Sequence, residues 1–295
     1  MNFKTAILRK IRNVFRGLKQ YFQRDKGLGS FIFFKFVAFA DFVFSAEKKI
    51  PLKHATAWST QYTERFGVNP IYICETNRPV ALDSIDYICP RGAIRDNSKN
   101  LRFNRILEKE IFPNKNFSLL DFGCAGGGFV RSILESGHVG VGLDGSDIQK
   151  KRNLGEWSSC PLHFFTVDLT EKFHLKDKAG AGIVFDIVTA WEVLEHIEEE
   201  KIPILIQNAA SHLKTNGLFV ASIDQTPDFN PITGANYHVT LKSRQWWIDI
   251  FNQYGFKEFK NHPFQVEDFV RGNGLGLKNW DPRDGDGFHV VLSKV

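Results

Sequence analysis

The sequence predicts an α/β fold built on a mostly parallel sheet, and three observations carry that prediction. From residue 116 onward, short apolar runs alternate with amphipathic segments, the pattern of βα units. Three successive apolar runs end in an aspartate, at Asp121, Asp144 and Asp168. The first of these runs passes straight into a glycine-rich turn with a helical pattern behind it.

The elements follow in order. A first strand is expected over Phe117 to Phe122, then the glycine turn and a helix from about Phe129 to Ser136. Strands at Val139 to Leu143 and Leu162 to Val167 come next, each ending beside its aspartate. A fourth, Phe185 to Ala190, runs into Trp191-Glu192-Val193-Leu194-Glu195-His196. A helix near Ile202 to Leu213 leads through Asn216-Gly217 to a fifth strand, Leu218 to Ile223. A helix over Ser243 to Tyr254, a strand around Phe256 to Phe264 and a last strand at Phe288 to Leu292 complete the region.

Ahead of this region the composition changes twice, dividing the chain into 1–50, 51–115 and 116–295. Residues 51–115 are mixed and punctuated by Pro51, Pro70, Pro79, Pro90 and Pro113. Residues 1–50 read as helical, basic and Phe-rich: Phe3, Ile7, Leu8, Ile11, Val14, Phe15, Leu18 and Phe22 recur at helical spacing. The chain's net charge of +5 belongs to this end, because residues 1–60 carry twelve Lys/Arg against three Asp/Glu. The first 26 residues hold eight Lys/Arg and one acid along an apolar stripe, the composition of a helix lying on an anionic membrane surface. The competing expectation is a helix docked on the domain by its Phe/Ile face. Nucleic acid is the weaker partner for this segment, since the rest of the chain is net acidic and carries no RNA-binding motif.

Composition excludes several classes. With 43% hydrophobic and 24% charged residues, the 295-residue chain is neither disordered nor collagen-like. Cys74, Cys89, Cys124 and Cys160 form no C-x-x-C pair, which argues against a zinc ribbon or a disulfide framework and for a reducing compartment. The longest apolar stretch, Phe31 to Phe44, spans 14 residues and contains Lys35 and Asp41, so it is too short and too polar to cross a bilayer. A cytoplasmic protein, peripheral on the inner membrane face, is the expectation. Oligomeric state leaves no signal in the sequence.

The stretch that carries chemistry is Asp121-Phe122-Gly123-Cys124-Ala125-Gly126-Gly127. A buried strand delivers the chain to a turn without bulky side chains, where a ligand can approach the backbone closely and where positive φ is tolerated. The amides and positive dipole end of the helix behind it favour an anionic ligand group. Asp144 lies 21 residues beyond Gly123 at the next strand end, where a carboxylate can accept hydrogen bonds from both ribose hydroxyls. Asp168 ends the third strand on the same rim, facing the adenine edge. Together these predict a nucleoside site at the carboxyl ends of the strands.

On these residues the chain resembles the class I S-adenosylmethionine-dependent methyltransferases, particularly the small-molecule enzymes that include quinone-biosynthesis methyltransferases. The resemblance covers roughly residues 115 to 295. Asp121, Gly123, Cys124, Ala125 and Gly127 fall on a first motif of the form D-x-G-x-G-x-G, with Ala125 standing where the second glycine is usual. Asp144, with Gly145 beside it, matches the ribose-binding acid, and Asp168-Leu169 the adenine-side pair. Phe185-Asp186-Ile187-Val188 through His196 is similar to the fourth-strand motif, which implies a place for Trp191 beside the donor and for Glu192 toward the substrate. The resemblance implies a Rossmann-like seven-stranded sheet with its last strand antiparallel, and S-adenosylmethionine as cofactor. An NAD-linked oxidoreductase fits less well: its loop wants G-x-G-x-x-G, and Ala125 occupies the second glycine. A non-catalytic nucleoside-binding module within an assembly is the other alternative.

Two histidines are candidates for a general base, His238 between the fifth strand and its helix and His196 after the fourth strand. Arg91, Arg95 and Arg102, in a stretch with five basic residues against one acid over 90–105, are candidates for holding an acidic or phosphate-bearing acceptor. The expected acceptor is a small molecule, sugar-containing or lipid-linked, methylated on oxygen. No metal set assembles from the sequence. Asp281, Asp284 and Asp286 miss the EF-hand spacing and read as a tight turn.

Overall fold

Leu119 and Leu120 are both fully buried yet point to opposite faces of their strand, so the sheet they build must be covered on both sides. The computed structural model describes residues 72–88, 96–230, 234–269 and 287–295. The expected N-terminal helix, Cys89, Arg91, Arg95 and the turn at 281–286 lie outside the described residues.

The central strand is β2 (Ser118–Phe122). It pairs in parallel with β3 (Val139–Asp144) on one side and β6 (Phe185–Trp191) on the other. Beyond β3 lies β4 (Phe164–Thr166), and beyond β6 lies β7 (Leu213–Asp224), both parallel. The last strand, β9 (Gly287–Lys294), inserts antiparallel between β7 and β8 (Phe256–Glu258). The order β4-β3-β2-β6-β7-β9-β8 gives the seven-stranded, mostly parallel sheet that the resemblance implied. Strand order reverses between β2 and β6, so the loops leaving their carboxyl ends diverge and open a crevice there.

Alternation along the central strands sorts the core into two layers. Leu120, Phe122, Val188 and Ala190 face a cluster with Leu205 and Ile206 of α5 (Ile202–His212) and with Trp247 and Phe251 of α6 (Arg244–Gln253). Leu119 and Ile187 face the opposite cluster, with Phe103 of α2 (Leu101–Ile106) and Phe129 and Ile133 of α3 (Gly128–Glu135). Ser243 caps α6 by accepting the Trp246 N–H, and Asn100 caps α2 by accepting the Phe103 N–H.

Three departures from the sequence reading are informative. β1 (Ile73–Thr76) pairs antiparallel with β5 (Phe173–Lys176), making a ribbon unread from sequence because about a hundred residues separate its strands and no turn joins them. The strand expected over Phe256 to Phe264 is only three residues long, and the third strand starts at Phe164 because Pro161–His163 forms a 3-10 turn. Among the described residues no helix is long and apolar enough to cross a membrane.

Candidate active site

The glycine turn after β2 follows an alternating backbone. Gly123 and Gly127 have φ of +70° and +85°, and a Cβ at Gly123 would come within 2.4 Å of Val193, so only glycine fits there. Ala125 between them is also left-handed, at φ +46°. Its conformation is held at both ends of the residue: its N–H donates to Asp144 Oδ2 at 2.8 Å, and its carbonyl accepts the Trp157 indole N–H at 2.7 Å. An L-residue there costs about 1–2 kcal/mol, which these two bonds offset. The substitution of alanine for the usual glycine is accommodated without disrupting the turn.

The turn differs from the anion cradle expected of it. The N–H groups of Cys124, Gly126 and Gly127 donate to the carbonyls of Leu143, Asp96 and Cys124 at 2.9, 2.7 and 2.8 Å. With Ala125 already engaged, four consecutive amides are used internally.

Asp144 ends β3 with 6% of its surface exposed, its Oδ1 accepting the Ser146 N–H at 2.7 Å. Burial lifts its carboxyl to about 6, against the pull of the two N–H groups that favour the anion. Asp168, after β4, accepts the N–H and hydroxyl of Thr170 at 2.9 and 2.6 Å through Oδ1 and faces Arg78 Nε at 3.4 Å through Oδ2. Asp121 is 2% exposed and accepts the Thr189 hydroxyl at 2.7 Å. Gly145 and Leu169 flank the same opening. Its other edge is the stretch 78–88, tied down where the Ala81 N–H reaches the Gly145 carbonyl and the Asp168 N–H reaches the Arg78 carbonyl.

Asp144 and Asp168 open into one cleft of about 990 Å³, lined also by Trp191, Glu192, His196 and His238 among others. That volume accommodates a nucleoside together with a second small molecule. Trp191 also lines a smaller recess with Asp121, Gly123, Cys124, Ala125 and Asn100. The Cys124 thiol, buried there, is pushed well above its ordinary value by desolvation and is no nucleophile. Glu192 sits at φ +53°, its N–H donating to both the carbonyl and hydroxyl of Ser222 at 3.1 Å.

The fold brings the two candidate histidines together, their rings edge-to-face with centroids 4.8 Å apart. His238 Nδ1 is 2.6 Å from the Thr226 carbonyl, which can only accept, so that nitrogen carries a proton. His196 Nδ1 is 2.9 Å from Asp86 of α1 (Ile85–Ile88). Burial opposes a charge on His196, but the nearby Asp86 and the surrounding carboxylates outweigh it and raise the ring to about 9. Glu195, fully buried beneath them, is raised to about 8 by desolvation; its Oε1 accepts the Asp224 N–H at 3.1 Å. One ligand atom each from Glu195, His196 and His238 lies within 4.8 Å of the others, a grouping able to receive a cation. The sequence reading assembled no such set because His238 is remote from the other two along the chain.

Of the three candidate arginines, Arg102 pairs with Asp268 at 3.5 Å and is not among the residues lining the cleft or the recess. Asp86, Asn100, Trp157 and Glu195 were not singled out from sequence, because nothing local marks a cap, a buried indole or a lone acid as part of a site.

The family described as "Methyltransferase domain" matches residues 92–264. Among curated proteins, a ubiquinone biosynthesis O-methyltransferase of Pelagibacter ubique is 29% identical over 174 residues, covering 57% of this chain and 65% of that protein. Another, of Rhizobium etli, is 31% identical over 126 residues, covering 40% and 46%. The chain thus spans less than two thirds of the length of either relative. Among solved structures, a TehB-like SAM-dependent methyltransferase of Corynebacterium glutamicum aligns at 16% identity with a TM-score of 0.44, covering 66% of this chain and 88% of that one.

Proposed function

The chain belongs to the methyltransferase-domain family, whose methyl donor is S-adenosylmethionine, and on that premise we propose that it methylates an oxygen of a small-molecule acceptor. The observation carrying this reading is the rim on which Asp144 and Asp168 stand at the mouth of a cleft that continues to His238, with Asp121 in the adjoining recess beside the glycine turn. The residues present fit the donor. Asp144 keeps lone pairs on both oxygens for ribose hydroxyls, and Asp168 with the Leu169 backbone suits the adenine edge. The recess beside Gly123 shares Gly123, Ala125 and Trp191 with the cleft.

When bound, the sulfonium supplies an already activated methyl group, so the chain's own task is alignment, exclusion of water and removal of one proton. His238 takes that proton at Nε2, its Nδ1–H fixed on the Thr226 carbonyl. His196, held protonated by Asp86 at neutral pH, orients the acceptor rather than deprotonating it. The names of the curated relatives support oxygen as the acceptor atom. The cleft is rich in carboxylates, which suits a neutral hydroxylated acceptor, such as a sugar or a phenol carrying a lipid.

The test is calorimetry of the full chain with S-adenosylmethionine and S-adenosylhomocysteine, followed by methyl transfer from labelled donor to a panel of sugars and lipid-linked phenols. Heat with both nucleosides and label in one acceptor class is expected. No heat with either, together with no effect of Asp144→Ala, would sink the reading.

A further inference from the structure

The segment between β7 and α6 leaves the sheet at Asp224 and comes back to it at His238, and both of its feet are pinned. Asp224 is the last residue of β7, and its Oδ1 accepts the N–H and the hydroxyl of Thr226, each at 2.6 Å, closing a turn of the Asx type. The Thr226 carbonyl in turn receives His238 Nδ1 at 2.6 Å. On the far side of His238 the Glu195 carbonyl accepts the Val239 and Thr240 N–H groups at 2.8 and 3.1 Å, and the Thr240 hydroxyl donates to the Ile197 carbonyl at 2.6 Å. Asp224 is tied to the same residue, its N–H donating to Glu195 Oε1 at 3.1 Å.

The backbone after His238 is thus fixed by Glu195, whereas the ring depends on the Thr226 carbonyl. The edge-to-face contact with His196 packs the ring but does not choose which nitrogen carries the proton. That choice belongs to the hydrogen bond at Nδ1. A loop carbonyl points where its turn directs it, and this turn is closed by Asp224.

We infer that Asp224 is a positioning residue for methyl transfer: through the turn it closes on Thr226, it holds His238 with Nδ1 protonated, the tautomer that a base accepting at Nε2 requires. The assignment rests on the reading of His238 as the base. It uses the accepting oxygen of Asp224 and not its charge, since both groups that donate to Oδ1 are neutral. Asp224 also lines the cleft, and a carboxylate that instead gripped the acceptor there would need the charge.

Two substitutions separate these roles, because Asp224→Asn keeps an oxygen for both bonds and Asp224→Ala removes it. Imidazole nitrogen NMR of the full chain at about pH 8.5, where an ordinary histidine is neutral, reads the tautomer, with His238→Gln identifying the signal. Wild type and Asp224→Asn should show the Nδ1–H form, and Asp224→Ala a mixture with the Nε2–H form. With the acceptor class that takes label from the donor, Asp224→Ala should lose about ten- to a hundredfold in turnover and Asp224→Asn less than about threefold. S-adenosylhomocysteine should bind both within about twofold of wild type, as expected where no donor contact is lost. Thr226→Val deletes only the hydroxyl bond and should move both readouts the same way by a smaller amount, which decides the matter if Asp224→Ala does not fold. An unchanged tautomer in Asp224→Ala and Thr226→Val, or a loss of turnover in Asp224→Asn equal to that in Asp224→Ala, would overturn the assignment. Full turnover in His238→Gln would instead overturn the base reading itself, and this assignment with it.

Discussion

Asp144 Oδ2 accepts the Ala125 N–H at 2.8 Å, so the carboxylate expected to hold ribose also braces the turn expected to hold the other end of the ligand. One side chain therefore couples β3 to the turn after β2. Cofactor affinity and turn conformation should respond together to its protonation.

That coupling predicts a pH dependence. Burial raises Asp144 from an ordinary 3.8 to about 6, and the anion is the form that accepts from both hydroxyls. Affinity for S-adenosylhomocysteine should be flat above pH 7 and fall by up to about tenfold per unit below pH 6. In the free protein the sign is opposite. A raised carboxyl contributes stability below its unfolded value, lost as pH climbs through 6. Calorimetry between pH 5 and 8 checks the first; Asp144→Asn should be weak and pH-independent.

Trp157 holds the Ala125 carbonyl at 2.7 Å from a buried position and stacks on Phe164 at 5.3 Å. Trp157→Phe keeps the stack and orphans the carbonyl, at a cost of about 1–3 kcal/mol in stability. Thermal melting should register that loss, and S-adenosylhomocysteine should bind several-fold more weakly, whereas a turn independent of Trp157 would keep its affinity.

His238→Gln removes the proposed base and leaves the donor residues untouched. Turnover should fall by about 10² to 10⁴, the usual contribution of a positioned base, with nucleoside affinity unchanged. Parallel loss of affinity would place His238 in the donor site instead.

Glu195 is raised from 4.5 to about 8 by burial. Its neutral form is the one the fold prefers, so the stability it contributes is present below 4.5 and lost as pH rises through 8. Glu195→Gln should match wild type near pH 5 and exceed it by a few kcal/mol at pH 9. Melting curves across that range decide the point; a constant difference would mean that Glu195 is ionised throughout.

Liposome sedimentation tests the basic front. The full chain should pellet with anionic vesicles at low salt, and a chain lacking residues 1–28 should not. Equal pelleting would remove the membrane role.

Much of the fold was legible because the central strands of the parallel sheet are buried on both faces and carry apolar runs such as Leu119-Leu120 and Ile187-Val188. The strand-end acids were legible for a related reason: Asp121, Asp144 and Asp168 interrupt those runs where a buried carboxylate needs a purpose. β1 was not, since a strand pairing across about a hundred residues leaves no local period.

The sequence by itself determined the order of elements and the rim of acids beside a glycine turn, because periodicity and spacing are properties of neighbours along the chain. Only the tertiary structure decided which donors are spent and which are free. The Gly126 amide is consumed by Asp96, while the buried Asn100 Nδ2 and Trp191 Nε1 have no hydrogen-bond partner among the described residues. Hydrogen-bond satisfaction is settled by contacts between distant segments, and no local pattern of residue types records it.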